Sequence, residues 1–321
     1  MPKGKTNGTY KKMKDFIVQV VANSDVKTER IQLEAAKYFD VAQQKSKLLK
    51  VIELIDIYDQ VIDSHVETKG AFYKLSVQSA IDRAKGQAFV QQIRNQLNRS
   101  MFNTLNLGKL YLDKHFYEKK SFIKKVSGSE RAHKEVVRLR EEVFNENTEY
   151  MLGCELRAYS QHASIMTRTI HTGIRRDHEN STLIANVSAS ISKDELCSKR
   201  KVSAEKLPRV PDKIDLQKCL DGYVDGISEM HILNLKLLRD VVDASIIKIE
   251  KFAQSLAHKV GVNISDSYYI KVSRDLHDDT TEQKANEVSV SVNSEWLDLI
   301  KELLGKHSSA TKFLQTKYEP F

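Results

Sequence analysis

Residues 150–165 read YMLGCELRAYSQHASI, and they hold an arginine and a histidine five positions apart, Arg157 and His162. The residues between the two include Tyr159, Ser160 and Gln161. Apolar and aromatic residues precede the pair, so the pattern predicts that both side chains lie at or near the end of a buried helix. The other motifs in the sequence carry weaker signals, and the functional interpretation depends on this stretch.

An arginine close to a histidine suits cleavage of a phosphodiester bond in RNA. An imidazole with an ordinary pKa of about 6.5 can take a proton from the attacking 2′-hydroxyl or give one to the leaving oxygen. A guanidinium can hold two phosphate oxygens and stabilise the charge that develops on them. In a continuous helix, however, five residues turn by about 500°, which separates Arg157 and His162 by roughly 140°. They share a site only if the helix ends or bends between them, or if two copies of the motif meet across a two-fold axis.

The segment CELRAYSQH, at residues 154–162, resembles the R-x4-H motif of HEPN-domain proteins, especially the bacterial group in which the motif reads close to ELRNYxQH. The residues that match are Glu155, Leu156, Arg157, Tyr159, Gln161 and His162. Helical patterns precede the motif, an extended segment follows it, and a long helix closes the region. The resemblance therefore covers roughly residues 45–260 and leaves both flanks uncovered.

The resemblance implies a mainly α fold, a HEPN-like helical bundle with a small β or extended insertion after the motif. It also implies a homodimer with both motifs in a shared cleft, and a metal-independent endoribonuclease of toxin or phage-defence type that needs no cofactor. In such an enzyme Arg157 would clamp the phosphate and His162 would be the general acid and base. Tyr159, Ser160 and Gln161 would line or support the site, and an antitoxin or sensor protein would be a further partner.

The position after the arginine departs from the family, because it is usually polar there and is Ala158 here. A methyl group can neither orient the pair nor contact a substrate, so the chain would be weakened or inactive, or the residue was introduced to make a toxic protein tolerable. The alternative function is a catalytically inactive helical module that binds RNA, a nucleotide or a protein. If the motif has no function, Arg157 would form a salt bridge with Glu155 or another neighbour, and His162 would be a core or surface histidine without a special role.

Two residues after the motif, Arg168 and His171, add basic character and would contact phosphates of the substrate. The alternative is a solvated basic loop. The acidic segment at residues 275–283 has no second histidine at ligand spacing, so it predicts a solvated loop and no metal site.

The overall composition agrees with a helical RNA-binding protein. The chain has 321 residues, 40% of them hydrophobic and 29% charged, and its net charge of +8 favours a polyanionic partner such as RNA. The three cysteines are far apart, which argues against a structural zinc site and favours reduced thiols in the cytoplasm. No run of about 18 apolar residues exists, so no membrane partner is expected. A weaker hypothesis, suggested by the basic charge and the long helices, is a helical scaffold that binds a membrane surface.

Proline is absent between residues 3 and 207, which favours long uninterrupted helices. Helices are predicted at 12–22, after Asp25, at 44–64, over 73–117 with a break near 98–104, at 131–145, from Asp215 to Gly261, and at 296–304. Gly70 is expected to separate the third and fourth of these. Strands are predicted at 183–191, 268–272 and 288–292. The resulting division is a basic arm with short helices at 1–44, a HEPN-like helical domain at 45–260, and an extension at 261–321 with short strands and a helix.

Overall fold

The structure is a computed structural model of the chain. It describes residues 13–22, 25–81, 86–116, 121–177, 182–199, 206–264, 267–274 and 289–306. These residues form eight α-helices and two small antiparallel sheets, which confirms the mainly α class predicted from the sequence. Residues 1–12 of the expected basic arm and all of the acidic segment at 275–283 lie outside the described residues.

The elements begin with two strands and five helices, after which strands and helices are interspersed. They are β1 (Met13–Ala22), β2 (Asp25–Glu34), α1 (Ala35–Ile81), α2 (Gly86–Phe116), α3 (Phe122–Ser127), α4 (Glu130–Glu146), α5 (Thr148–His162), β3 (Thr169–Asp177), β4 (Thr182–Ser192), α6 (Lys193–Lys199), β5 (Lys213–Asp215), α7 (Leu216–Val260), β6 (Tyr268–Arg274), β7 (Val290–Asn293) and α8 (Ser294–Lys306). A short 3-10 turn at Leu207–Arg209 precedes β5.

The chain forms two compact units. Among the described residues, the first contains those up to Ile52 and Leu238–Lys306, and the second contains those within Glu53–Leu237. Helices α1 and α7 each contribute a segment to both units. The first unit therefore combines two parts of the chain that are far apart in sequence.

The first unit is built on an antiparallel sheet with strand order β2-β1-β6-β7. Alternate residues of β1, among them Phe16, Val18 and Val20, are fully buried on one face of the sheet. The Phe16 ring lies 4.9 Å from the ring of Tyr38 on α1, measured between centroids. The buried face of the sheet is therefore covered in part by the first turns of α1.

The helices predicted at 12–22 and directly after Asp25 were wrong, because these residues form β1 and β2. Local sequence shows why a strand is stable here: β-branched residues are frequent in β1, and its buried residues alternate with a period of two. The strand also pairs with β6, where Val18 lies opposite Val272. That partner is some 250 residues away, and a local helical pattern cannot reveal it.

The predicted helix boundaries at Gly70 and at 98–104 were also wrong. Helix α1 continues through Gly70 to Ile81, and α2 runs from Gly86 to Phe116 without a break. A glycine inside a helix costs only about 1 kcal/mol relative to alanine. Buried neighbours on either side, Thr68 and Phe72, supply packing that offsets this cost.

Most of the other boundaries were predicted correctly because capping residues mark them. Asn147 Oδ1 accepts a hydrogen bond of 2.8 Å from the backbone N–H of Tyr150 and thereby caps α5. Asp215 Oδ1 accepts from the N–H groups of Gln217 and Lys218 at the start of α7. Gly261, with φ +67°, follows the last residue of that helix. These are the usual N-cap and C-cap signals.

The second sheet confirms the small β insertion predicted after the motif. Its strand order is β3-β4-β5, all antiparallel. The N–H of Val187 on β4 donates to Ser76 Oγ on α1 over 2.9 Å, which fixes the sheet to the helices of the second unit.

The helical core of the second unit contains a stacked pair of rings. The Tyr58 ring lies 3.8 Å from the imidazole of His231, with only 7° between their planes. Tyr58 donates a hydrogen bond of 2.8 Å to Ser228, and the Tyr111 hydroxyl lies 3.0 Å from His231 Nδ1. Polar groups in this core are thus joined to each other across α1, α2 and α7.

Helices α2, α5 and α7 approach one another closely because glycines leave room for one ring. Tyr223 of α7 packs against Gly108 of α2 and Gly153 of α5. A Cβ added at Gly153 would lie 2.6 Å from the Cβ of Tyr223. The Tyr223 hydroxyl donates to the carbonyl of Leu105 on α2 over 3.2 Å. This three-helix contact sets the distance between the elements that form the site described below.

Replacing Gly153 by alanine should lower the free energy of unfolding by roughly 1–3 kcal/mol, the usual cost of overpacking a core. The reason is that the new methyl group would overlap Tyr223. Urea denaturation followed by circular dichroism measures the effect.

Gly305→Ala is the matched control, since no atom of the described residues lies within 4 Å of a Cβ built at that helical position. This substitution should leave the stability unchanged or raise it by up to about 1 kcal/mol, because alanine favours a helix more than glycine does. Equal stability of the Gly153→Ala chain and the parent would contradict the close packing of α5 and α7.

Candidate functional site

The two motif residues point in different directions from α5. The helix continues without interruption from Thr148 to His162, so it does not end between Arg157 and His162. Because an α-helix has 3.6 residues per turn, the two side chains leave the helix about 140° apart. Arg157 is half-buried, whereas His162 is the last residue of the helix and is exposed. Within one chain the structure does not bring the guanidinium and the imidazole together.

Arg157 lines a pocket of about 500 Å³ in the second unit. This volume lies within the range of about 300–1,000 Å³ that small-molecule sites usually have. The pocket is formed by residues of α2, α4, α5 and α7. Ala158 also lines it, whereas His162 is not among the lining residues.

The pocket has an aromatic wall. The rings of Tyr150 and Tyr223 are stacked, with centroids 5.7 Å apart and an angle of 16° between their planes. Phe144 stands at 90° to Tyr150 at 6.3 Å. Burial raises the pKa of both tyrosines, so their hydroxyls stay protonated at neutral pH.

Three cationic side chains lie around this wall: Lys109, Arg140 and Arg157. Burial is the main cause that lowers the pKa of Lys109, and the positive charge of Arg157 lowers it further. Lys109 forms an ion pair with Asp113 one turn along α2. Arg157 Nε is buried and has no hydrogen-bond partner among the residues described. Cations held near one another in partly buried surroundings favour the entry of an anion.

Contacts behind the pocket hold its wall in position. Glu155, the salt-bridge partner considered for Arg157, is buried and pairs with Lys206 at 2.7 Å. The same Lys206 ammonium lies 4.7 Å from the centre of the Phe144 ring. Arg209 donates to the Phe144 carbonyl over 3.3 Å. The Phe144 segment of α4 is thus fixed by two basic residues that precede β5.

Two further predicted site residues, Tyr159 and Arg168, take part in a hydrogen-bonded group outside the lining of this pocket. The Tyr159 hydroxyl donates to Glu195 Oε1 over 2.9 Å. Arg168 donates to the same carboxylate oxygen over 2.7 Å and to the Tyr159 hydroxyl over 3.3 Å. This group joins α5 to α6 and to the segment before β3.

The remaining predicted residues also lie outside the pocket lining. Ser160 donates to the carbonyl of Arg157 within the helix over 2.8 Å, and Gln161 donates to Asn106 over 2.8 Å. His171 is exposed on β3. Arg157 therefore lines the pocket, and the other site residues predicted from the sequence do not.

Sequence reasoning missed most of the pocket because its residues come from four helices. Lys109, Arg140, Phe144 and Tyr223 carry no shared motif. One local signal was present: residues 150, 154, 157 and 158 recur at helical spacing and so lie on one face of α5. All four line the pocket.

No family model, no curated protein and no solved structure matches the chain. The HEPN resemblance of residues 154–162 accordingly stays a prediction. Within the ranges that the structure covers, His, Cys, Asp and Glu side chains form no group of three or more that could hold a metal ion. None of the helices described is both long enough and apolar enough to cross a membrane.

The thiol of Cys154, which lines the pocket, should be unreactive in the folded protein. Burial raises its pKa to about 12, and only the thiolate is an effective nucleophile. At pH 8 alkylation by iodoacetamide should therefore be slower than in urea, on the order of a thousandfold from the thiolate fraction.

Mass spectrometry of the peptide that contains Cys154 gives the labelling rate, with the urea-unfolded chain as the control. The native rate should still rise steeply with pH at pH 10, whereas an ordinary thiol levels off above its pKa of about 8.5. A native rate that levels off near pH 9 would contradict the burial of this thiol.

Proposed function

We propose that the chain is a helical protein that binds RNA or a nucleotide, with a phosphate of the ligand held by Arg157. The observation that carries the proposal is the buried Arg157 Nε, which lacks a hydrogen-bond partner in the described part of the chain and lies beside a pocket of about 500 Å³. An unpaired buried donor costs about 1–3 kcal/mol, and an acceptor from a ligand would remove that cost.

The charges around the pocket support a phosphate rather than a neutral ligand. Lys109 and Arg157 are close enough for one to lower the pKa of the other. A phosphate between them would neutralise this repulsion and accept hydrogen bonds from both. Hydrogen bonds from charged donors to phosphate are stronger than those between neutral groups.

The aromatic wall supports a nucleotide rather than inorganic phosphate. Phe144 is half-buried beside the fully buried pair Tyr150 and Tyr223, so its ring is the aromatic surface that a base could contact. Base stacking on an aromatic ring is worth about 1–3 kcal/mol. The pocket is also lined by two carboxylates, Asp113 and Glu141. These can accept hydrogen bonds from ribose hydroxyls or from amino groups of a base.

RNA cleavage, the function implied by the HEPN resemblance, is the second candidate. The observation in its favour is that His162 is exposed at the end of the helix that carries Arg157. Because the two side chains point apart in one chain, cleavage at a phosphate bound by Arg157 would need His162 of a second copy. The expected product is a 2′,3′-cyclic phosphate, formed when the 2′-oxygen attacks phosphorus and the 5′-oxygen leaves with a proton.

Arg157→Gln should weaken binding of a short fluorescein-labelled single-stranded RNA by roughly 10–100-fold. This range corresponds to the loss of hydrogen bonds from a charged donor, about 1.5–3 kcal/mol. Fluorescence anisotropy at one fixed salt concentration measures the dissociation constant.

Arg138→Gln is the matched control, because it removes the same charge from an exposed position on α4 that is not part of the pocket lining. It should change the dissociation constant by less than about threefold, as expected for a distant surface charge. If both variants weaken binding equally, RNA contacts the basic surface in general, and the pocket proposal fails.

For cleavage, the Arg157→Gln chain and the His162→Ala chain should each lose a factor of about 10²–10⁴ in rate. When the two are co-expressed, mixed dimers contain one composite site with both residues intact. The mixture should recover about a quarter of the parent rate, as random pairing in a two-fold dimer requires.

Cleavage is followed on a labelled RNA by gel electrophoresis without added metal. A mixture no more active than its separate components would exclude a site shared between two copies. A parent chain that binds the RNA but leaves it uncut would reject cleavage and leave the binding function in place.

A further inference from the structure

The exposed side of α1 in the second unit carries a row of large apolar side chains. Val66, Tyr73, Val77 and Ile81 are 57%, 62%, 42% and 75% exposed. The opposite side of the same helix is buried, as Phe72 and Leu75 show. Single exposed apolar residues are ordinary on protein surfaces, but a continuous row on one helix face is not.

The spacing of this row is that of a coiled-coil seam. Val66, Gly70, Tyr73 and Val77 follow one another at intervals of four, three and four residues. This is the a/d pattern by which one helix packs along another. We call these four residues, together with Ile81, the α1 seam. Its 16 residues extend over about 24 Å.

The seam is complementary in shape to a second copy of itself in antiparallel orientation. In an antiparallel pair an a position faces a d position of the partner, so Val66 of one copy would face Val77 of the other. The large ring of Tyr73 would then face Gly70, where no side chain is present. No atom of the described chain lies within 4 Å of a Cβ built at Gly70, so this position is open to a partner ring.

The charges that flank the seam favour the same orientation. Glu67 and Lys74 are both exposed and occupy equivalent positions, seven residues apart, beside the apolar row. In the antiparallel pair Glu67 of each copy lies near Lys74 of the other, which gives two opposite-charge contacts. A parallel pair would bring Lys74 towards Lys69, which is already paired with Asp221 at 2.8 Å, and would form no contact between Glu67 and Lys74.

From these observations we propose that the chain forms a two-fold symmetric dimer through an antiparallel contact of the α1 seam with a second copy. The homodimer implied by the HEPN resemblance is centred on the motif in α5, whereas this interface uses α1 and shares no residue with the Arg157 pocket. The proposal therefore does not depend on the proposed function. A two-helix contact of this length is small, so the dimer should dissociate on dilution.

Analytical ultracentrifugation of the full chain over a range of concentrations measures the dimer dissociation constant. Val77→Asp should raise that constant at least tenfold, because a carboxylate would be buried against Val66 of the partner. Leu299→Asp is the matched control: Leu299 on α8 is 45% exposed, similar to Val77, and its substitution should leave the constant unchanged. Thermal melts followed by circular dichroism check that both variants fold.

Charge reversal tests the antiparallel orientation. Glu67→Lys alone and Lys74→Glu alone should each weaken the dimer by roughly two- to fivefold, as the loss of exposed ion pairs and the gain of repulsion require. The double variant should regain the parent dissociation constant, because the opposite charges again face each other.

A parent chain that is monomeric at every concentration overturns the proposal. So does a dimer that tolerates Val77→Asp, since the contact would then lie elsewhere. A double charge reversal that weakens the dimer further than either single change overturns the antiparallel pairing and with it the proposed interface.

Discussion

The packing of one ring, Tyr223, against two glycines determines the geometry of the candidate site. Because Gly108 and Gly153 have no side chains, α2 and α5 can both approach this ring of α7. Lys109 is the next residue after Gly108, and Arg157 lies one turn after Gly153. The steric fit at Tyr223 therefore places two cations from different helices at one pocket. A larger residue at either glycine would move the two cations apart without changing any charge. The packing at Tyr223 therefore determines how strongly Lys109 and Arg157 interact.

The continuity of α5 is the second constraint, and it has a chemical consequence. Asn147 caps the helix at its start, and backbone hydrogen bonds continue to its last turn, where the N–H of Ala163 donates to the carbonyl of Tyr159. An unbroken helix fixes the angle between side chains by residue number alone. Arg157 is thereby directed to the pocket and His162 away from it, whatever the tertiary surroundings. In one chain the motif therefore places a guanidinium at the pocket without an imidazole beside it.

The sequence predicted those features that depend on neighbouring residues. Caps such as Asn147 and Asp215 were recognised, because a capping side chain binds backbone N–H groups two or three positions away. The strand at 183–191 was recognised from its β-branched residues. The features that were missed depend on distant residues: β1 is a strand partly because it pairs with β6, and the pocket combines residues of α2, α4 and α7 with Arg157. Gly70 misled the prediction because glycine weakens a helix locally, while tertiary packing decides whether the helix continues.

The groups present in the pocket bear on the choice between binding and cleavage. Cleavage at Arg157 needs a base near the 2′-hydroxyl of the RNA. The thiol of Cys154 and the hydroxyls of Tyr150 and Tyr223 all have a raised pKa, because burial disfavours their charged forms. These three groups stay protonated at neutral pH and can donate hydrogen bonds but cannot accept a proton. The proposed binding of a nucleotide would require hydrogen-bond donors and some aromatic surface, and the pocket of one chain is lined by Lys109, Arg157 and the half-buried Phe144. Binding is therefore the function that we propose for a single chain, and cleavage by the pair of motif residues would in addition need His162 of a second copy.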